Sequence, residues 1–187
     1  DRFARPSQES RALPVDSFSW PSVLAQTYNS RDVEPIQPTF LQYATEGYQG
    51  TGVVFSVILA RLALFSEAAF KWRRESDKAL FGTEALGLLE QPWPGGTTGE
   101  LLARMEQDVS LAGQSFILRR PDRLVRLRPD LVDRALTSEA NPQVAGYVYW
   151  SEGRGGPAQF YTPDEVSDWT PIPDPLSHFR GMSWLTP

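Results

Sequence analysis

Residues 51–70 read TGVVFSVILARLALFSEAAF and form a long apolar run. At 100° per residue, Ser56, Ala60 and Ala63 fall on one narrow stripe, where another element could approach closely. Most of the remaining circumference is apolar, and such a helix is usually buried. The run therefore predicts a core helix that ends near Ala69 and turns back as a strand over residues 70–73. Its predicted buried side carries Phe55, Ile58, Leu62 and Phe65.

The same run is a poor membrane span. A spanning helix needs about 20 apolar residues. Arg61 would lie near the middle of the bilayer, at a cost of roughly 2.5–3.5 kcal/mol even on a lenient insertion scale. Glu67 adds to that cost, so we predict no membrane association.

The first 50 residues combine prolines with aromatic side chains. Five prolines interrupt any long helix or central strand there. A disordered tail is usually poorer in aromatics than this segment, which contains Phe3, Phe18 and Trp20. We therefore expect an extended N-terminal arm over residues 1–50 that lies against its own domain or a neighbouring subunit. The rest, residues 51–187, is predicted to be one α+β domain.

Downstream residues predict short helices and antiparallel strands. Residues 83–91 favour a short helix that ends at the Pro92–Gly96 break. Thr97 and Glu100 match a capping box at the start of an amphipathic helix, and Gly113 is placed to end it. On this helix the apolar face is Leu101, Leu102, Met105, Val109 and Ala112, with Arg104, Glu106 and Gln107 off that face. Strands are predicted over residues 114–120, 123–128, 144–150 and 159–161.

The C-terminal third has two further helix-start signals. Thr162 and Glu165 match a second capping box, which predicts a turn of helix before a strand through Trp169. Ser183 stands where an N-cap would, before a helix that begins at Trp184. We read that helix as cut off at its first turn, which suggests a fragment of a longer protein.

Composition excludes several kinds of site. The chain has no cysteine, which removes disulfides and thiolate chemistry, and its single histidine leaves no His-rich metal site. Lys and Arg number 18 against 23 Asp and Glu, a net charge of −5. An acidic balance disfavours broad non-specific binding to nucleic acid, which requires many phosphate-neutralising cations.

One basic cluster stands out against this acidic background: Arg119, Arg120, Arg123, Arg126 and Arg128. It could contact phosphates, form salt bridges between subunits, or be a solvated hairpin among Asp122, Asp130 and Asp133. No aromatic residue alternates with these arginines, as a platform for single-stranded nucleic acid would require.

Three enzyme-like patterns are weak. The Gly50–Phe55 loop lacks the third glycine and the preceding strand of a dinucleotide fingerprint. Gly181-Met182-Ser183-Trp184-Leu185 lacks the last glycine of a nucleophile elbow. An acidic cluster of Asp164, Glu165, Asp168 and Asp174 could bind a metal ion, although capping already accounts for Glu165. We predict no catalytic, cofactor-binding or metal-binding residue.

The order of these features resembles the lambdoid tailed-phage portal protein family. The resembling segments are Tyr48–Arg74, Leu88–Pro94, Leu101–Arg120, Leu124–Asp130, Glu165–Trp169 and Gly181–Leu185. The resemblance covers about residues 45–187. No single segment is specific to the family, whereas the ordered series is.

The resemblance implies a portal wing-type domain, with a few helices packed on small, mostly antiparallel sheets. Such subunits form a dodecameric ring at a capsid vertex, contact terminase, the head–tail connector and capsid proteins, and pass double-stranded DNA without sequence-specific binding. The implied location is the virion, or the host cytoplasm during assembly. We predict subunit contacts at Phe3, Phe18, Trp20, Arg119 and Arg126. The alternatives are a generic capsid-associated adaptor, or a small hydrolase or metal-dependent enzyme with a pocket around Asp164, Asp168 and His178.

Overall fold

The computed structural model describes residues 33–35, 40–69, 73, 75–77, 86–137 and 141–186. The helices are α1 (Phe40–Gln42), which continues as a π-helix (Tyr43–Gln49), α2 (Gly52–Ser66), α3 (Gly87–Glu90) and α4 (Thr98–Ala112). The strands are β1 (Val33–Pro35), β2 (Ser115–Arg119), β3 (Leu124–Leu127), β4 (Val132–Leu136), β5 (Val144–Trp150), β6 (Ala158–Tyr161) and β7 (Val166–Trp169). A 3-10 turn, Pro129–Leu131, precedes β4.

The described strands form two small antiparallel sheets, which confirms the predicted α+β class. One sheet has the order β1-β4-β5-β6 and the other β3-β2-β7. Their apolar side chains meet in one core cluster: Phe116, Leu118, Leu127, Val132, Tyr147, Tyr161 and Val166. The sequence predicted β2, β3, β5, β6 and β7 but missed β4, because Asp133 and Arg134 interrupt its apolar pattern.

Helix α4 is bounded as its sequence predicts. The Thr97 side chain accepts from the backbone N–H of Glu100, and the Glu100 carboxylate accepts from the N–H of Thr97. Gly113 ends the helix in the left-handed region, at φ 78°. One residue is a correction: Glu106, which we expected off the buried face, is buried beside Arg61.

The prediction that α2 is enclosed in the core is wrong. Ile58 is buried against Phe40, Leu111 and Ala112, as expected, and Leu62 and Phe65 are half-buried. Phe55, however, is exposed, as are the other large apolar side chains around the helix: Val53, Val57, Leu59 and Leu64. An apolar circumference predicts burial only if several elements surround the helix. Here α1 and α4 pack on one side of it.

Parts of the predicted arm are regular structure. Strand β1 pairs with β4, and the helical turns of residues 40–49 pack against α2 through Phe40, Tyr43 and Tyr48. The strand predicted over residues 70–73 lies outside the described residues except for Arg73. Within the described ranges, no single helix is long and apolar enough to span a membrane, although residues 40–49 and α2, bent by 101°, together have the required length and composition.

Two predicted helix starts are turns. Glu165 caps the N–H of Thr162 at 2.9 Å, but the chain passes directly into β7 without a helical turn. After Ser183, residues 184–185 also form a turn, and the N–H of Leu185 donates to the Ser183 hydroxyl at 3.0 Å. Both capping sites form, and after Thr162 the pairing of β7 with β2 takes the place of helix propagation.

Candidate assembly surface

The outward side of α2 is apolar along its length. We define the α2 outer face as Val53, Val57, Ala60 and Leu64, which lie at successive helical turns. Val53 is 74% exposed and Leu64 75% exposed. Contiguous apolar exposure of this kind, unlike scattered single residues, usually marks an interaction site.

The serines of α2 bond to the helix itself. The Ser56 hydroxyl donates to the carbonyl of Gly52 at 2.8 Å, and that of Ser66 donates to Ala63 at 2.9 Å. A hydroxyl that is already hydrogen-bonded can be buried against an apolar surface, because the free-energy cost of burying a polar group is small once it has a hydrogen-bond partner. Burial of the α2 outer face would therefore leave neither hydroxyl without a hydrogen-bond partner.

A shallow, open depression of about 260 Å³ adjoins this face and is lined by Arg61, Leu64, Phe65 and Glu106. Its polar edge is an ion pair, with Arg61 Nη2 2.6 Å from Glu106 Oε1. The Arg61 guanidinium also lies 4.0 Å from the centre of the Trp184 ring. The depression therefore combines an apolar floor with a charged edge that is already neutralised.

The basic cluster is largely paired within the chain. Arg126 forms a two-point ion pair with Asp108 on α4, and Arg128 pairs with Asp130 at 2.7 Å. Arg120 lies 3.9 Å from Glu165 and 5.3 Å from the centre of the Tyr161 ring. Arg119 and Arg123 are exposed, without an ion pair to a described residue. The subunit contacts at Arg119 and Arg126 therefore stay predictions, and Arg126 already has an intramolecular partner.

Asp108 is a buried carboxylate on α4 whose pKa is perturbed. Burial raises its pKa to about 6. The hydrogen bonds and positive charge of Arg126, and a weaker hydrogen bond from Ser115, act in the opposite direction and lower that pKa. Only 1% of its side chain is exposed, whereas Arg126 is 29% exposed. The pair joins α4 to β3 and fixes the hairpin against the helix.

A second buried pair joins the two sheets. Arg134, on β4, donates to both oxygens of Asp168, on β7, at 2.7 Å, and to the Gln114 amide oxygen at 2.7 Å. The Tyr147 hydroxyl donates to Asp168 at 3.2 Å, and burial together with that carboxylate raises the pKa of Tyr147. No local sequence pattern predicts this network, because its members come from four separate segments.

The loop before the C-terminus is fixed by Asp174. Its carboxylate accepts from the N–H of Leu176 at 2.9 Å and from Arg180 at 2.7 and 2.9 Å. These donors lower the pKa of Asp174, the backbone amide of Leu176 first. Leu176 itself is 91% exposed at the tip of this loop. The loop thus presents Leu176, a large apolar side chain, to solvent.

The enzyme-like patterns have structural roles. The Ser183 hydroxyl donates to the carbonyl of Ser110 at 2.7 Å. Its proton is therefore engaged in a structural hydrogen bond, whereas a nucleophilic serine would transfer that proton to a base. A π-helix, and not a strand, precedes Gly50, and Gly52–Phe55 already belong to α2. Asp168 and Asp174 are paired with arginines. In the described part of the chain, no group of three or more metal-binding side chains comes together.

The arm residues predicted as subunit contacts, Phe3, Phe18 and Trp20, lie outside the described residues. Sequence reasoning also missed the α2 outer face and Leu176. The α2 outer face could have been predicted from the sequence, because α2 has more apolar residues than one buried side of a helix needs. For Leu176 no sequence signal existed, since single leucines in Pro-rich loops are common.

Comparison with solved structures identifies the fold. The chain is similar to a chain from the neck of an empty gene transfer agent (GTA) particle computed with C6 symmetry, with a TM-score of 0.68 and 19% identity. It is also similar to chains from the virion of a native GTA particle (TM-score 0.65, 17% identity) and from the neck of a native GTA particle computed with C12 symmetry (TM-score 0.63, 19% identity). Each match covers 86% of this chain.

This chain spans less than half the length of those proteins, 44% of the first and 43% of the other two. No protein-family model and no curated protein sequence matches it. The shared fold is therefore that of proteins from the neck and virion of phage-like particles.

Proposed function

We propose that this chain is the wing region of a portal-type subunit, which forms a ring in the neck of a phage-like particle. The observation that carries the proposal is the match of 86% of the chain to a GTA neck protein at a TM-score of 0.68. The ordered sequence features that resemble the portal family support it independently. The role is structural and non-enzymatic.

In this role the ring passes double-stranded DNA during packaging and ejection. A channel through which DNA moves must bind DNA only weakly. The net charge of −5 on this chain favours weak binding, because DNA is itself negatively charged. Three of the five clustered arginines are paired with carboxylates of the same chain. These pairs support a surface that contacts DNA weakly and without sequence preference.

The proposed partners are other copies of the subunit, terminase, the head–tail connector and capsid proteins. The ring has about twelve subunits in this proposal, as in the resembling portal family. The proposed location is the capsid vertex of the virion, after assembly in the host cytoplasm.

Electron microscopy of the full-length protein tests the proposal. We expect closed rings of about twelve subunits, whereas the isolated 187-residue chain should be monomeric or weakly associated at micromolar concentration by light scattering. A full-length protein that stays monomeric at every salt concentration would contradict a portal. A small adaptor that binds capsid proteins without forming a ring would then be the better reading.

Binding to DNA gives a second test. By fluorescence anisotropy near physiological salt, the chain should bind duplex DNA no more tightly than the non-specific range, roughly 10⁻⁴–10⁻⁶ M. Sub-micromolar binding that Arg119→Ala and Arg123→Ala abolish would refute the weakly contacting conduit.

A further inference from the structure

Residues 181–186, which we call the C-terminal strap, cross the molecule from the sheets to the helices. They belong to no helix or strand, and Gly181 alone forms a bridge, with Pro173. A segment without regular structure is held in place by its contacts with other elements. The positions of those contacts therefore indicate what the strap does.

The beginning of the strap is fixed to the sheets. The N–H of Gly181 donates to the Gln114 amide oxygen at 3.3 Å, and the N–H of Met182 donates to the carbonyl of Ile172 at 2.9 Å. The backbones of Gly181 and Gly113 are in direct contact, because a Cβ on either glycine would overlap backbone atoms of the other or of its neighbour. Since Gln114 belongs to the buried network between the sheets, this end of the strap has a firm anchor.

The middle of the strap is bonded to the end of α4 through Ser183, which is buried. Its hydroxyl donates to the carbonyl of Ser110 at 2.7 Å and accepts from the N–H of Leu185 at 3.0 Å. Ser110 lies in the last turn of α4, where backbone carbonyls have no partner within the helix. Ser183 therefore joins the strap to α4 and also fixes the turn that follows.

The far end of the strap contacts the helices that precede α4. We call residues 40–66 the helical layer. The Trp184 ring lies 4.0 Å from the Arg61 guanidinium of α2. Leu185 packs in the apolar cluster between the helical layer and α4, and its side chain also lies beside Gly47. The strap thus contacts both helical parts of the layer while its other end stays on the sheets.

The helical layer has a smaller buried core than the sheets. Seven buried apolar residues form the core between the sheets, whereas four form the cluster beneath the layer. The Arg61–Glu106 pair and the Phe65–Trp169 ring contact, at 5.2 Å, add to the attachment of α2. The α2 outer face adds nothing, because it is exposed. Regions with few buried apolar contacts open at a lower free energy than the core does.

We propose that the C-terminal strap is a latch for the helical layer. While Ser183 is bonded to α4, the layer stays packed on α4. Release of the strap lets residues 40–66 separate from α4 while both sheets stay folded. A displacement of residues 184–186 therefore acts on α2 and on the α2 outer face. The latch goes beyond the proposed function and does not depend on ring formation.

Hydrogen exchange followed by mass spectrometry tests the latch in the full-length protein at low denaturant, where local opening dominates exchange. Ser183→Ala leaves the Ser110 carbonyl and the Leu185 N–H without their partner. The loss of a buried hydrogen bond shifts an opening equilibrium by about tenfold or more. Exchange in residues 40–66 should therefore accelerate at least about tenfold, and exchange in β2, β4 and β5 less than about twofold.

Ser177→Ala is the matched control. The Ser177 hydroxyl donates to Asp174 at 3.4 Å, within the loop that precedes the strap. Its removal should change exchange in residues 40–66 less than about twofold. Equal acceleration of the helical layer by Ser177→Ala and Ser183→Ala would overturn the latch, because the effect would then not be specific to the strap.

Trp184→Ala is a second variant that keeps the fold, because this side chain is 46% exposed. It removes the contact with Arg61 and leaves the bonds of Ser183 in place. Loss of one such cation–π contact should accelerate exchange in residues 40–66 about two- to fivefold, again without an effect on the sheets.

The distribution of the acceleration decides the outcome. Acceleration confined to the helical layer supports the latch. Equal acceleration in the layer and the sheets would mean that the strap only adds to global stability, and no acceleration in the layer would mean that the strap does not hold it; either result overturns the latch. If Ser183→Ala does not fold, Trp184→Ala decides by the same criteria. A full-length protein that forms no ring contradicts the proposed function and leaves the latch standing.

Discussion

Removal of the Arg134 guanidinium should destabilise the domain far more than removal of an equivalent exposed one. Arg134 is 1% exposed and donates to Asp168, Gln114 and Thr170. In Arg134→Ala, Asp168 is left as a largely buried carboxylate without its cation. Breaking a buried pair in this way costs about 3–5 kcal/mol. For a domain of this size that corresponds to a fall in Tm of roughly 6–20 °C.

Arg128 provides a matched control. It also makes a two-point contact with an aspartate, Asp130, and its shortest distance is the same 2.7 Å, but its side chain is 49% exposed. An exposed pair contributes about 0–1 kcal/mol, so Arg128→Ala should lower Tm by at most about 4 °C. Thermal unfolding followed by circular dichroism compares the two variants. Equal losses would refute the conclusion that burial, and not pairing alone, makes the Arg134 network important.

Four further outcomes are expected. The folded-state pKa of Asp108, about 6, lies above its ordinary value of 3.8, so the free energy of unfolding should fall as pH rises from about 4 to about 6; Asp108→Asn should remove that part of the slope in urea titrations. Thr97→Ala removes the capping box of α4 and should cost about 1 kcal/mol, measured by urea unfolding. Gly181→Ala should cost about 1–3 kcal/mol or more in the same assay, because the added Cβ would lie 1.9 Å from the carbonyl oxygen of Gly113. Ring assembly, followed by light scattering, should strengthen as salt rises; weakening would favour ion pairs at Arg119 and Arg126 as the subunit contact.

Local patterns predicted the local structure well. The capping box at Thr97, the helix end at Gly113 and the strand over residues 144–150 all follow from neighbours in sequence, and each is confirmed. Strand β4 could not be predicted in the same way. It contains Arg134, which is buried only because Asp168, 34 residues later, neutralises it.

The candidate surface shows a different limit of sequence reasoning. The apolar composition of α2 predicted a helix enclosed on all sides, but composition does not say which sides of a helix its neighbours cover. Core packing and subunit packing use the same side chains and the same hydrophobic effect. Ile58 and Leu64 are both apolar residues of one helix, yet the first is 2% exposed and the second 75%. Only the positions of α1 and α4 distinguish the two.

In the proposed ring, charged and apolar side chains would have opposite effects on association. These 187 residues carry a net charge of −5, so in the proposed ring they would repel the same residues of neighbouring copies at low salt. The arginines that could offset this repulsion across an interface are mostly committed within the chain, Arg126 to Asp108 and Arg128 to Asp130. In the proposed ring, attraction through the described part of this chain would then come from groups that are exposed and uncharged. The α2 outer face supplies such groups, with Leu64 75% exposed.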